Sequence, residues 1–250
     1  MSETVNPYPV KEEIRILLEN SKIAKLLEIV FVFAVAFMII FLFKKEDGEH
    51  LVYNQAVVWV ANVVMLFLVW MGLRIRGESC AAFGLRWKWR GWKVAGKIFL
   101  QSLLVCIIAV VGMVLGSILM ANITGVPESI DASSYDYLKD NLGMLALTLV
   151  GVYIVSSFGE EVIYRAFLIN RVSQLVGAGK SGRIIAVIFS AMVFGLVHYS
   201  WGPMGVVQTA FMGLALGICY LLFKRNLWIL ILAHAYMDTI LMVQLYLSSN

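Results

Sequence analysis

Long apolar runs recur along the chain and are separated by short stretches that hold most of its charges. A membrane-spanning helix needs about 20 predominantly apolar residues, and the sequence contains seven runs close to that length. The pattern therefore predicts an all-α integral membrane protein, a bundle of about seven (six to eight) transmembrane helices. The predicted spans are residues 26–43, 52–73, 98–121, 142–158 with a continuation to about 176, 184–199, 206–223 and 227–246.

Residues 1–25 precede the first predicted span and carry both acidic and basic side chains. Ile14, Leu17 and Leu18 recur at helical spacing among these charges. This spacing predicts an amphipathic helix that lies on the membrane surface. Within the spans, two glycine pairs at GxxxG spacing, Gly112 with Gly116 and Gly213 with Gly217, favour close helix contact.

The distribution of charge in the loops predicts how the chain is oriented. Residues 74–97 contain seven Lys or Arg and one acidic residue, whereas residues 122–141 contain four acidic residues and one Lys. Basic loops stay on the cytoplasmic side of membranes. We therefore expect a cytoplasmic N-terminus, seven crossings and an external C-terminus.

Composition agrees with a membrane protein and excludes an ordinary soluble domain. The chain is 61% hydrophobic and 14% charged, with a mean hydropathy of +0.85, whereas soluble domains have about 45–50% apolar and about 25% charged residues. The net charge of +4 fits membrane topology, and we expect no nucleic-acid partner. The three cysteines are scattered, without metal-binding spacing or a disulfide framework.

Candidate chemistry begins with two adjacent glutamates, Glu160 and Glu161, after an uncharged stretch from 143 to 159. Ionisable groups at membrane depth are costly and usually functional. Arg165 follows Glu161 by four residues, which places the two on one helix face and suits an ion pair. Adjacent helical residues point about 100° apart, so Glu160 faces elsewhere and is free to act as a base. The alternative is that both glutamates end a helix at the cytoplasmic interface.

Two histidines in later apolar segments complete the candidate set. His198 follows Phe194 by four residues, and His234 precedes Asp238 by four, so each pair shares a helix face. Asp238 could fix the tautomer of His234 or bind the same water or metal. Taken alone, each histidine could equally be a packed, neutral residue. On simple counting His198 lies further toward the outside than Glu160, so their meeting requires a tilted or broken span, and the turn at residues 200–203 could supply this adjustment.

Motifs of other intramembrane hydrolases are missing. The sequence has no HExxH for a zinc protease, no Gly-x-Ser-x-Gly for a serine nucleophile and no Gly-Asp pair in an apolar segment. These absences argue against a site-two-type zinc protease, a serine hydrolase with a nucleophile elbow and an intramembrane aspartyl protease.

The order EExxxR, FxxxH and HxxxD on successive apolar segments resembles the CPBP family of intramembrane proteases. That family comprises the type II CAAX prenyl endopeptidases and the bacteriocin-processing and self-immunity (Abi) proteins. The resemblance covers about residue 142 to the end. It implies that Glu160 activates a water together with His198, and that His234 and Asp238 stabilise the oxyanion. It also implies that Glu161, Arg165 and Phe194 support the site.

The chain departs from the prenyl endopeptidases at Asp238, where these typically have asparagine. An ionised aspartate repels an oxyanion, so Asp238 must be protonated, orient His234 or ligate a cation. Glu160, His198 and His234 would also make a His₂Glu set suited to catalytic zinc. Both mechanisms stay open here, and the metal-free one is favoured.

We therefore expect three parts: an amphipathic cytoplasmic segment (1–25), N-terminal transmembrane helices (26–141) and a CPBP-like catalytic core (142–250). The expected function is an intramembrane endopeptidase that acts on a peptide or protein substrate, such as a prenylated CAAX-type C-terminus or a bacteriocin-like peptide. Its expected partners are this substrate and membrane lipid. Short loops and the lack of an added soluble domain favour a prokaryotic plasma membrane. The alternatives are a non-catalytic scaffold or bacteriocin self-immunity protein and, less favoured, an ion or proton transporter.

Overall fold

Helices make up the fold of the computed structural model, which describes residues 9–45, 50–85, 91–125 and 133–247. Residues 86–90 of the predicted basic loop and 126–132 of the predicted acidic loop lie outside the described residues, as do 1–8 of the predicted N-terminal segment. The α-helices in the described parts are α1 (Pro9–Asn20), α2 (Lys22–Phe43), α3 (Leu51–Arg76), α4 (Trp92–Thr124), α5 (Leu142–Val152), α6 (Ile169–Val176), α7 (Lys180–Leu196), α8 (Gly202–Leu222) and α9 (Leu227–Leu247).

Six of the described helical segments are long and apolar enough to cross a membrane. They comprise α2, α3, α4, the continuous helix from Leu142 to Val176, the segment from Tyr199 through α8, and α9. The prediction of an all-α membrane bundle is thus confirmed. The predicted fifth span, 184–199, corresponds to α7, which has 17 residues and ends at Leu196. It ends early because the chain enters a 3₁₀ turn at Tyr199–Trp201 before α8 begins.

The helix that carries the adjacent glutamates changes its hydrogen-bonding pattern at its centre. Between α5 and α6, Tyr153–Leu168 forms a π-helix, in which each N–H bonds to the carbonyl five residues back; the N–H of Ile169 bonds to Tyr164 in this way. We call Leu142–Val176 the glutamate helix. Its start is capped by Asn141, whose side chain accepts from the Met144 N–H at 3.0 Å. π-Helical turns are rare and occur frequently at functional sites.

Small residues let α8 approach both α4 and α7 closely. A Cβ added to Gly116 would lie 3.0 Å from the Val207 carbonyl oxygen, and one added to Gly195 would lie 2.6 Å from that of Val206. The predicted glycine pairs lie in these contacts: Gly112 faces Phe211, and Gly213 and Gly217 face α7. Packing of this kind holds helices together where lipid removes most of the hydrophobic driving force.

A buried ion network joins the first three helices to the end of the glutamate helix. Arg76 lies 2.5 Å from a Glu28 carboxylate oxygen and also donates to the Leu18 carbonyl. Arg171 contacts the same Glu28 at 3.2 Å and donates two hydrogen bonds to Glu78, at 3.0 and 3.1 Å. Both arginines are at most 1% exposed. The network fixes the glutamate helix against the N-terminal helices.

Candidate active site

The core of the site is a fully buried triad on the glutamate helix and α9. Arg165 Nη1 lies 3.2 Å from Glu161 Oε1, so the predicted ion pair is present. His234 Nδ1 lies 2.8 Å from the same oxygen. A carboxylate oxygen accepts, so this contact places a proton on Nδ1 and directs Nε2 away from Glu161. Glu161, rather than the predicted Asp238, therefore fixes the orientation of the His234 ring.

Glu160 occupies the other side of the same imidazole. Its Oε2 lies 3.9 Å from His234 Nε2 and has no hydrogen-bond partner among the described residues. The Glu160 side chain keeps 15% of its surface accessible, while Glu161 is completely buried. The two adjacent carboxyl groups thus have different environments: Glu161 is enclosed by a charge pair, and Glu160 is partly accessible and has an oxygen without a hydrogen-bond partner among the described residues.

Asp238 lies one turn after His234 on α9 and approaches the same imidazole. Its Oδ1 lies 3.9 Å from His234 Nε2, and its Oδ2 accepts a hydrogen bond from Ser157 at 2.6 Å. Ser156 lies 3.4 Å from His234 Nε2 and 3.5 Å from Asp238 Oδ1. The two serines therefore hold the Asp238 carboxyl beside the imidazole.

The Phe194 ring packs near both histidines. The Phe194 ring lies 4.9 Å from the His198 ring and 6.4 Å from the His234 ring, measured between centroids. The Arg165 guanidinium lies over Phe194 at 4.2 Å, a geometry that favours cation–π attraction. Phe194 is completely buried. It packs near the Arg165 guanidinium and both imidazole rings.

His198 does not meet Glu160 directly. Its Nδ1 lies 2.7 Å from the Phe194 carbonyl oxygen, and in the described part of the chain no carboxylate comes within 4 Å of its ring nitrogens. The cause is the end of α7: His198 lies beyond its last turn, beside Trp201, whose ring centroid is 4.8 Å away. The residue next to Glu160 is His234.

The predicted zinc set is not assembled in this arrangement. Across the described ranges, no three His, Cys, Asp or Glu side chains are grouped so that they could hold a metal ion. The reason lies in the side chains themselves. Nδ1 of His234 faces Glu161, and Nδ1 of His198 faces the Phe194 carbonyl oxygen. The set Glu160, His198 and His234 therefore does not fit a resident metal as placed here.

Sequence reasoning missed three polar contributors. Ser156 and Ser157 precede the glutamates but belong to no motif, and serine in an apolar helix commonly bonds to its own backbone. The ion network around Glu28 was also missed. Nearly every pair of its members is 15 or more residues apart in the sequence. A single signal was present: Glu28 is an acidic residue inside an otherwise apolar run.

Comparison with known protein families agrees with this geometry. Residues 142–240 match the model of the family described as "Type II CAAX prenyl endopeptidase Rce1-like". The matched range begins with the glutamate helix and includes Glu160, His198, His234 and Asp238. No curated protein and no solved structure gave a match. The chain is an all-α, multi-pass membrane protein, and its C-terminal region, residues 142–240, is similar to the Rce1-like type II CAAX prenyl endopeptidases.

Proposed function

We propose that this protein is an intramembrane endopeptidase in which Glu160 activates water to hydrolyse a peptide bond. One observation carries the proposal: a carboxylate without a hydrogen-bond partner among the described residues lies 3.9 Å from a buried imidazole, within the region matched to a protease family. A base must be within reach of the proton it removes. Glu160 Oε2 and His234 Nε2 lie 3.9 Å apart, and in the proposed mechanism one water contacts both groups.

In the proposed reaction, a water bound at Glu160 attacks the carbonyl carbon of the scissile bond. Its proton passes to Glu160, and the carbonyl oxygen takes up the negative charge. The C–N bond then breaks, and the proton on Glu160 passes to the leaving amine nitrogen. Positioned general bases of this type commonly contribute about 10²–10⁴-fold to the rate.

His234 is proposed to stabilise the oxyanion through a proton on Nε2. Glu161 already accepts from Nδ1, so the ring then carries a proton on both nitrogens. In this proposal the positive ring offsets the negative charges of Glu160 and Asp238, each of which has an oxygen 3.9 Å from Nε2. Placed donors to an oxyanion are worth about 3–4 kcal/mol. His198 is proposed to contact the substrate from the far side of Phe194.

The proposed substrate is a peptide with a prenylated CAAX-type C-terminus. The family match supports this class, and the apolar outer faces of the helices would admit a lipid-modified chain from the bilayer. We propose a prokaryotic plasma membrane, on the ground of the short loops, and a cytoplasmic N-terminus, which the basic loops favour. A bacteriocin-like peptide is the second substrate class.

The test is peptide cleavage by purified protein in liposomes. The probe is a fluorogenic peptide that ends in a farnesylated CAAX sequence. We expect wild type to cleave it and Glu160→Gln to be at least about 100-fold slower, with an unchanged membrane level. Glu19→Gln, at an exposed position on α1, is the matched control and should retain full activity. Equal activity of Glu160→Gln and wild type would refute the mechanism and favour a scaffold or immunity role.

A further inference from the structure

Ser156 lies beside the imidazole that the proposed reaction uses. Its hydroxyl oxygen is 3.4 Å from His234 Nε2 and 3.5 Å from Asp238 Oδ1. Glu160 Oε2 approaches the same Nε2 at 3.9 Å. Ser156 is partly exposed, whereas its neighbour Ser157 is completely buried. A peptide whose scissile bond reaches Glu160 and His234 would therefore lie beside the Ser156 hydroxyl.

The hydroxyl of Ser156 is not used by its own helix. Serine and threonine in helices commonly donate to the carbonyl one turn back, as Ser117 and Thr209 do here at 2.9 and 2.7 Å. Among the described residues, the Ser156 hydroxyl contacts only His234 and Asp238. Both distances are longer than those of a strong hydrogen bond. The proton of this hydroxyl is therefore available to a better acceptor.

Asp238 cannot donate a hydrogen bond to an oxyanion in this arrangement. Its Oδ2 accepts from the Ser157 hydroxyl at 2.6 Å, within the range of about 2.5–2.7 Å that is typical of a hydrogen bond to an ionised carboxylate. An ionised carboxylate only accepts hydrogen bonds, and its charge repels an oxyanion. The structure describes three polar side chains within 4 Å of His234 Nε2, and Ser156 is the neutral donor among them.

We propose that Ser156 is a catalytic residue whose hydroxyl donates to the oxyanion of the tetrahedral intermediate, together with the Nε2–H group of His234. This inference rests on the proposed function, since it adds a second donor to the same intermediate. Two donors 3.4 Å apart are close enough for one oxygen to lie about 2.9 Å from both. The bond strengthens when the carbonyl oxygen becomes charged. Its loss therefore slows the chemical step and leaves substrate binding nearly unchanged.

The first test compares the kinetics of Ser156→Ala and Ser117→Ala on the farnesylated peptide. Ser117 is the matched control, because it is a partly buried serine on α4 whose hydroxyl also contacts a second helix, through Gln208 at 2.7 Å. Ser156→Ala should lower kcat at least about tenfold and leave KM within about twofold, while Ser117→Ala should match wild type. A smaller loss of kcat, or an equal loss in Ser117→Ala, would overturn the proposal.

Binding of a phosphinate analogue separates the two proposals. In this farnesylated peptide, a tetrahedral and negatively charged phosphorus group replaces the scissile amide and resembles the intermediate. Ser156→Ala should bind the phosphinate at least about tenfold more weakly than wild type. In a Glu160→Gln background, the same substitution should leave affinity for the parent peptide unchanged.

A phosphinate that binds wild type, together with a parent peptide that wild type does not cleave, would refute the proposed function. The phosphinate affinities would then still decide the role of Ser156. That role would be overturned by equal phosphinate affinity of Ser156→Ala and wild type, by an equal loss of affinity for both ligands, or by no phosphinate binding at all.

Discussion

Glu160 and Glu161 are neighbours in sequence with opposite surroundings. Glu161 is completely buried and contacts both Arg165 and His234, so its charge is compensated and its position is fixed. Glu160 Oε2 lacks a hydrogen-bond partner among the described residues. Glu161 therefore has compensating partners on two sides, whereas the oxygen of Glu160 beside His234 has none, and we propose that Glu160 is the catalytic base.

This difference predicts distinct outcomes for two similar substitutions. Glu161→Gln leaves the Arg165 guanidinium without its charge partner, and removing one partner of a buried ion pair costs about 3–5 kcal/mol. We expect Glu161→Gln to lower the thermal midpoint by several degrees, and Glu160→Gln to change it little. Thermal unfolding in detergent measures both. Equal midpoints for the two variants would show that Glu161 has no special structural role.

At the same scale, the sequence predicts which residue types carry the chemistry but not all of their contacts. The pairing of Glu161 with Arg165 follows from their four-residue spacing. The contact between His234 and Glu161 does not, because it depends on how α9 packs against the glutamate helix. His198 shows the same limit: its place depends on where α7 ends, which a uniformly apolar run does not reveal.

At the scale of elements, the glutamate helix connects the site to the ion network. Arg171 lies six residues after Arg165 and binds Glu28 and Glu78. The N-terminal helices therefore hold the end of the glutamate helix in place. The sequence predicts this helix through to residue 176. The π-helical hydrogen bonds at its centre are not predicted, because no residue pattern marks them.

Because Arg171 joins the N-terminal helices to the glutamate helix, we expect its loss to lower the stability of the whole fold. Arg171→Leu leaves Glu78 without this partner and removes one of the cations at Glu28. We expect a loss of about 3–5 kcal/mol in the free energy of unfolding. Arg183→Leu, at an exposed position on α7, is the control and should change stability by less than about 0.5 kcal/mol. Denaturant unfolding measures both, and equal losses would contradict the proposed anchoring.

At the scale of the whole molecule, the bundle brings α9 against the glutamate helix, so that His234 contacts Glu161 while His198 faces the Phe194 carbonyl oxygen. This arrangement favours hydrolysis by carboxylate-activated water over catalysis by a resident zinc ion. We therefore expect prolonged treatment with a chelator to leave cleavage of the farnesylated peptide within about twofold of the untreated rate. A loss of activity that added zinc restores would contradict this expectation and would support the His₂Glu set.

The central claim is that Glu160 and His234 act on the same reacting atoms as one unit. The most direct test is a double-mutant cycle on the cleavage rate, with Glu160→Gln, His234→Ala and their combination, each compared at equal folded amounts. Residues that act as a unit give strongly non-additive losses. If Glu160 and His234 act as one unit, the double variant is no slower than the slower single variant. Losses that multiply would show that the two residues act independently and would contradict the account.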